Sequence, residues 1–223
     1  MNNLLRMGAL TLICSSAVGC NSMTANAYDT LRIAVQGPES QVSTGTINRL
    51  GQPALVVQLG QSEALMVQAS ASSSRAEWHG SHQMMVTRQG RVVQTAGMPE
   101  ASDVIAPLLE DDPFLGDLRA LAERTEVTRL VDMPKLYLSA LPQHARYTRG
   151  PVQEREIMGE LITLQRIDER ISIPAISFSA TNQYWVDPAT GAVLASVQHI
   201  SPELAPLVIT HVKPNTDQAA MQP

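Results

Sequence analysis

From Ala54 onward the chain is written in short β-type runs, each closed by turn residues, and this punctuation restricts its fold more than any other feature. Runs at 54–59 and 64–69 flank Gly60-Gln61-Ser62, runs at 75–79 and 83–88 flank Gly80-Ser81, and runs at 86–88 and 91–95 flank Gln89-Gly90. In the last of these a glycine supplies the positive φ that a two-residue hairpin requires. Successive hairpins of this kind predict a meander. Further β-type runs fall at 127–131, 135–140, 145–149, 157–167, 171–178, 182–186, 192–199 and 207–212, although 157–167 has a Glu and Leu content that also suits a helix. Asp187-Pro188-Ala189-Thr190-Gly191 is the clearest turn, with Pro fixing φ early and Gly closing it.

Helical periodicity is brief. Tyr28, Leu31 and Val35 form one stripe ended by Gly37-Pro38, and 44–50 predicts a further turn. Between Ser102 and Arg124, Val104, Leu108 and Leu109 share one face and Phe114, Leu118 and Leu121 the next; Pro107 and Pro113 divide this stretch into two predicted short helices. No repeat of fixed period is visible in the sequence. The expected organisation is one β-rich domain over 27–214, with a polar tail at 215–223.

The N-terminal region sets a second constraint. Arg6 and an apolar run from Met7 to Val18 lead into Ala17-Val18-Gly19-Cys20. The run is shorter than the roughly 20 apolar residues of a permanent span, so it reads as a cleaved export signal over 1–19. Small residues suit a peptidase cleft, and a thiol at Cys20 is what a thioether to diacylglycerol needs, although Ala17 stands where lipoprotein sites usually have Leu. Residues 20–26 then form a tether, and two or more acyl chains hold a protein stably on a bilayer. Asn21, rather than Asp, follows the cysteine, which by analogy with lipoprotein sorting directs the expectation to the outer membrane. Cys14 leaves with the signal and Cys20 is consumed by lipid, so the expected mature body has no thiol for a disulfide.

The formal charge of -5 and the lack of a long basic run argue against a nucleic-acid partner. Aromatic content of 4% argues against an extended stacking platform for sugars or bases. Trp78 and Trp185 each end a β-run beside a turn, where a ring packs into a core or meets a glycan. Arg88 and Arg91 flank a hairpin turn and are further candidate contacts for an acidic polymer or a protein. His79 and His82 form the one close histidine pair, but zinc would need a third ligand such as Glu77, and no metal site is expected. Glu110, Asp111 and Asp112 beside Pro113 read as a solvated helix boundary. With no Gly-x-Ser-x-Gly elbow and no phosphate loop, no catalytic residue and no cofactor are assigned.

Two longer strings carry a resemblance. Trp78-His79-Gly80, followed by the run from Met85 to Pro99, is similar to the signature of the YjbF/GfcB family of capsule and exopolysaccharide lipoproteins. Tyr184-Trp185-Val186-Asp187-Pro188-Ala189-Thr190-Gly191, with Ser196-Val197-Gln198-His199 and Pro202, resembles that family's C-terminal block. The resemblance spans roughly Tyr28 to Pro214. It implies a mainly β fold, a curved antiparallel sheet or partly open β-barrel with a few short helices. It also implies an outer-membrane lipoprotein without enzymatic activity, whose partners are polysaccharide export proteins or the polysaccharide. The competing expectations are a polysaccharide-modifying enzyme using Glu77, His79 or His82, and a lipid carrier with an apolar cavity.

Overall fold

Eleven strands form one sheet in the computed structural model, which describes residues 42, 44–50, 52–72 and 74–213. The export signal expected at 1–19, Cys20, the tether expected at 20–26, the helix expected at 27–35 and the tail expected at 215–223 lie outside the described residues. After helix α1 (Thr44–Asn48), the first five strands are β1 (Ala54–Leu59), β2 (Ser62–Ser72), β3 (Arg75–His79), β4 (Met84–Arg88) and β5 (Arg91–Ala96). The second group comprises β6 (Glu126–Met133), β7 (Leu138–Ile157), β8 (Glu160–Ile173), β9 (Phe178–Val186), β10 (Val193–Gln198) and β11 (Leu207–Lys213). The spatial order is β5-β4-β3-β2-β1-β11-β10-β9-β8-β7-β6. Each group is an antiparallel meander, and the two join where β1 pairs with β11.

The sheet curls into a half-barrel; β6 alternates between a buried inner face and an exposed outer one, whereas β1, β4, β5 and β10 are buried along consecutive residues. On β6, Val127, Arg129, Val131 and Met133 point inward, while Glu126, Thr128 and Leu130 are exposed. The open side is crossed by residues 104–106. Ile105 bridges Gln94 of edge strand β5 and Asp132 of edge strand β6, with backbone hydrogen bonds of 2.8–2.9 Å on both sides.

Here the expected pair of helices at 102–124 is absent. The segment is instead extended at its start and then forms 3-10 turns at Pro113–Leu115 and Leu118–Ala120. Proline removes a donor and pushes the preceding residue toward extended backbone, so the two prolines prevent a continuous helix. The apolar spacing marked burial in part: Val104, Phe114, Leu118 and Leu121 enter the core, whereas Leu109 is exposed.

Three β-runs also need redrawing. Runs 135–140 and 171–178 are each interrupted by a 3-10 turn, at Pro134–Leu136 and Pro174–Ile176. Run 157–167 contains a two-residue turn at Met158 and Gly159, with φ of 57° and 83°, and strand on both sides. The 145–149 run lies within the longer β7.

The two proline turns reveal a repetition. Met133-Pro134-Lys135-Leu136-Tyr137-Leu138-Ser139-Ala140 and Ile173-Pro174-Ala175-Ile176-Ser177-Phe178-Ser179-Ala180 form equivalent hairpin ends, each with its fourth turn residue, Tyr137 or Ser177, in the left-handed region. The offset between these segments is the offset between Arg129 and Glu169. Strands β6–β7 and β8–β9 are therefore twin hairpins that place oppositely charged residues at matching inward positions.

Beyond a bulge between Arg149 and Val152, the outer parts of β7 and β8 form an arm that gives the sheet a local second layer. Ile157 and Leu164 of the arm bury Trp185, Ala195, Val197 and Val208. The remaining apolar clusters line the inner face of both groups of strands.

Candidate functional site

Strands β5 to β9 bring a set of polar side chains into the interior. Arg129 and Glu169 are each 0% exposed, and Arg91 is 4% exposed. The Glu169 Oε1 atom accepts from Arg129 Nη1 at 2.6 Å, Tyr147 Oη at 2.9 Å and Arg91 Nη2 at 3.2 Å. Its Oε2 atom accepts from Tyr184 Oη at 2.7 Å and Asn182 Nδ2 at 2.8 Å. Arg129 Nε donates to Asp112 Oδ2 at 2.5 Å, and both arginines donate to Gln143 Oε1 at 3.2 Å. Two guanidinium groups thus meet two carboxylates.

Burial alone would raise the Glu169 pKa, but Arg91 and Arg129 together hold it far below the usual carboxylate range. Burial and the neighbouring Glu169 charge push both Tyr147 and Tyr184 upward, so these phenols stay protonated and donate. An uncompensated charge here would cost several kcal/mol, which satisfied partners on every side avoid. The adjoining void, lined by Arg91, Gln143, Asn182 and Gln198 among others, is about 20 Å³. That is room for about one water molecule.

The residues singled out from sequence mostly belong to this packed interior or its margins. Trp78 is buried, donates from Nε1 to Thr87 Oγ1 at 2.9 Å, and meets His211 edge-on at 5.7 Å. Trp185 is fully buried under the arm, donates to Gln153 Oε1 at 2.8 Å, and lies 3.9 Å from the Arg155 guanidinium. Neither ring is presented to a glycan. Arg91 points inward to Glu169 instead of outward from its turn. Arg88 is half-buried and donates to Ser74 Oγ at 3.3 Å.

Glu77 and His79 are within 2.7 Å on the exposed side of β3. Among the described residues no group of three His, Cys, Asp or Glu side chains converges to hold a metal. Asp112 corrects the reading of its acidic cluster: it is a buried partner of Arg129, and its Oδ1 also accepts the Phe114 N–H at 3.0 Å.

Sequence reasoning missed Arg129 and Glu169. Their signal was available in Val127-Thr128-Arg129-Leu130-Val131 and Ile167-Asp168-Glu169-Arg170-Ile171, where a charge occupies the apolar phase of an alternating strand.

The outer face of β6, β7, β8 and β9 holds a groove of about 750 Å³. Across β6, β7, β8 and β9 the register aligns Thr128, His144, Ser172 and Ser179, all lining it. The adjacent row aligns Glu126, Arg146, Arg170 and Thr181. Leu109 and Asp111 complete one margin.

Residues 28–212 match the family model described as group 4 capsule polysaccharide lipoprotein gfcB, YjbF. The chain belongs to this family. A capsule-associated role for a lipoprotein is therefore the level at which its function is established. The YjbF family fold also matches a solved structure, the hypothetical lipoprotein YmcC from Escherichia coli. At 19% identity the match has a TM-score of 0.67 and covers 87% of this chain and 95% of that one. An exported protein from Bacteroides fragilis with a YmcC-like fold is more distant, with 8% identity, a TM-score of 0.34, and coverage of 73% of this chain and 93% of that one. No curated protein matches the chain.

Proposed function

We propose that this YjbF-family protein is a non-enzymatic accessory of capsule or exopolysaccharide assembly, tethered through lipid on Cys20 to the outer membrane and facing the periplasm. It works by binding an export protein or the polymer. The family match over 28–212 carries this reading. The packing of the half-barrel supports the binding role over its rivals. The interior carboxylates are engaged by arginines, and a void of about 20 Å³ gives neither a sugar nor an acyl chain access to them. The Glu77–His79 pair lies on an exposed strand end.

Deleting the gene is expected to reduce surface polysaccharide, measured on intact cells, and complementation with the unaltered chain restores it. Cys20→Ser is expected to move the protein from the membrane fraction to the soluble periplasmic fraction. A normal surface polysaccharide level in the deletion strain would remove the role, and persistent membrane association of Cys20→Ser would remove the anchor.

A further inference from the structure

We infer that the outer groove across β6–β9 binds carboxylate-bearing sugar units of a polysaccharide, with Arg170 as the anion-recognising residue; this rests on the proposed role in polysaccharide handling. The first observation is an arginine without an ion pair, in a groove that also holds Glu126 and Asp111. Arg146 and Arg170 lie directly opposite each other on the β7–β8 ladder, an arrangement that costs stability between like charges. Glu126 offsets Arg146 at 2.7 Å, and Asp168 is engaged by Arg166 at 2.9 Å. Arg170 is exposed and its side chain, among the described residues, makes no hydrogen bond or ion pair. Its planar guanidinium is free to grip a carboxylate in a bidentate fashion.

The second observation is the row beside it. Thr128, His144, Ser172 and Ser179 offer hydroxyl and imidazole groups on four successive strands, so polar groups recur about every 4.8 Å across the sheet. This spacing approaches the length of one sugar ring along a polymer. The volume of about 750 Å³ accommodates a short oligosaccharide segment. An acidic peptide fits less well, because extended peptides usually add to a free sheet edge, and three of the four strands under the groove, β7, β8 and β9, are paired on both sides.

The test uses full-length protein in detergent and polysaccharide purified from the producing cells, either native or with its carboxyl groups chemically reduced. Native polymer is expected to bind, and either carboxyl reduction or Arg170→Ala is expected to weaken binding about tenfold or more. Ser172→Asp, which adds a carboxylate to the row, is expected to weaken it similarly, whereas Glu160→Ala on the distant arm leaves it unchanged. Unchanged thermal melts exclude misfolding as the cause. Equal binding of native and reduced polymer, unaltered binding by Arg170→Ala, or displacement only by poly-glutamate would overturn the inference. If deletion lowers surface polysaccharide but Arg170→Ala neither binds less nor lowers it, the groove assignment fails while the accessory role stands. If deletion has no effect, the role itself fails.

Discussion

The inner and outer faces of β6–β9 use nearly the same chemical vocabulary, arginine, carboxylate, hydroxyl and amide, with opposite consequences. Inside, each charge is enclosed and fully engaged, so Arg91, Arg129, Asp112 and Glu169 depend on one another. Outside, water screens each group, and Arg170 has no partner among the described residues. Burial, more than residue type, decides whether a charge becomes part of the scaffold or remains available to a ligand.

The largest test of this contrast is Glu169→Ala, which leaves two buried arginines short of a carboxylate and is expected to cost about 3–5 kcal/mol in urea unfolding. Its outward neighbour Arg170→Ala is expected to stay within about 0.5 kcal/mol of the parent. Similar losses for the two would break the comparison.

Acid tests the same effect of burial elsewhere in the sheet, at His199 beyond β10 and His211 on β11. Burial lowers the His211 pKa to about 4, and His199 is lowered in the same direction. As pH falls below about 6.5, the unfolded chain takes up these protons before the folded one does, so stability present at neutral pH is lost down to about pH 4. Below the ordinary glutamate range the depressed Glu169 adds a further loss with the same sign. The loss from His211 is expected to be on the order of 3 kcal/mol, to be checked by urea midpoints at pH 7.5, 5.5 and 4.5. A stability that does not fall over this interval would contradict a neutral, half-buried His211.

Two glycines provide a smaller contrast between packing and strain. Gly90 and Gly159 both have φ of 83°, but a Cβ on Gly90 would stand 2.5 Å from Val193 Cβ, whereas one on Gly159 meets nothing within 4 Å. Gly159→Ala is expected to cost about 1 kcal/mol from backbone strain, and Gly90→Ala about 2–3 kcal/mol because overpacking is added. Equal costs in thermal unfolding would mean that the β4–β5 turn does not press on β10. Arg146→Ala is also expected to have a small effect in urea unfolding, since its exposed pair with Glu126 is worth less than about 1 kcal/mol and weakens with salt.

Much of the sheet was legible because turn chemistry is local. Gln89-Gly90 forms the expected tight hairpin, and Asp187 to Gly191 forms the expected turn, with the Gly191 N–H returning to the Asp187 carbonyl at 2.8 Å. The Met158-Gly159 turn carries the same glycine signal but was hidden inside a long apolar-polar run. The bridge at Ile105 was not legible because its partners, Gln94 and Asp132, belong to opposite edges of the sheet. The tryptophans illustrate the same limit: position beside a turn could not reveal that an arm from β7 and β8 would cover Trp185. In the polar interior the alternating pattern marked Arg129 and Glu169 as anomalous, but only the curling of the sheet brings them together with Asp112 and Arg91.

The junction of β1 with β11 imposes an order in time. Each meander is assembled from neighbouring hairpins, which close quickly, but β1 cannot acquire its second neighbour until the last strand has emerged. During any N-to-C delivery of the chain, one side of β1 therefore waits as an unpaired template while most of the protein is still arriving. The final strand completes the sheet at its centre, and that late arrival makes the interval before β11 the one most exposed to mispairing.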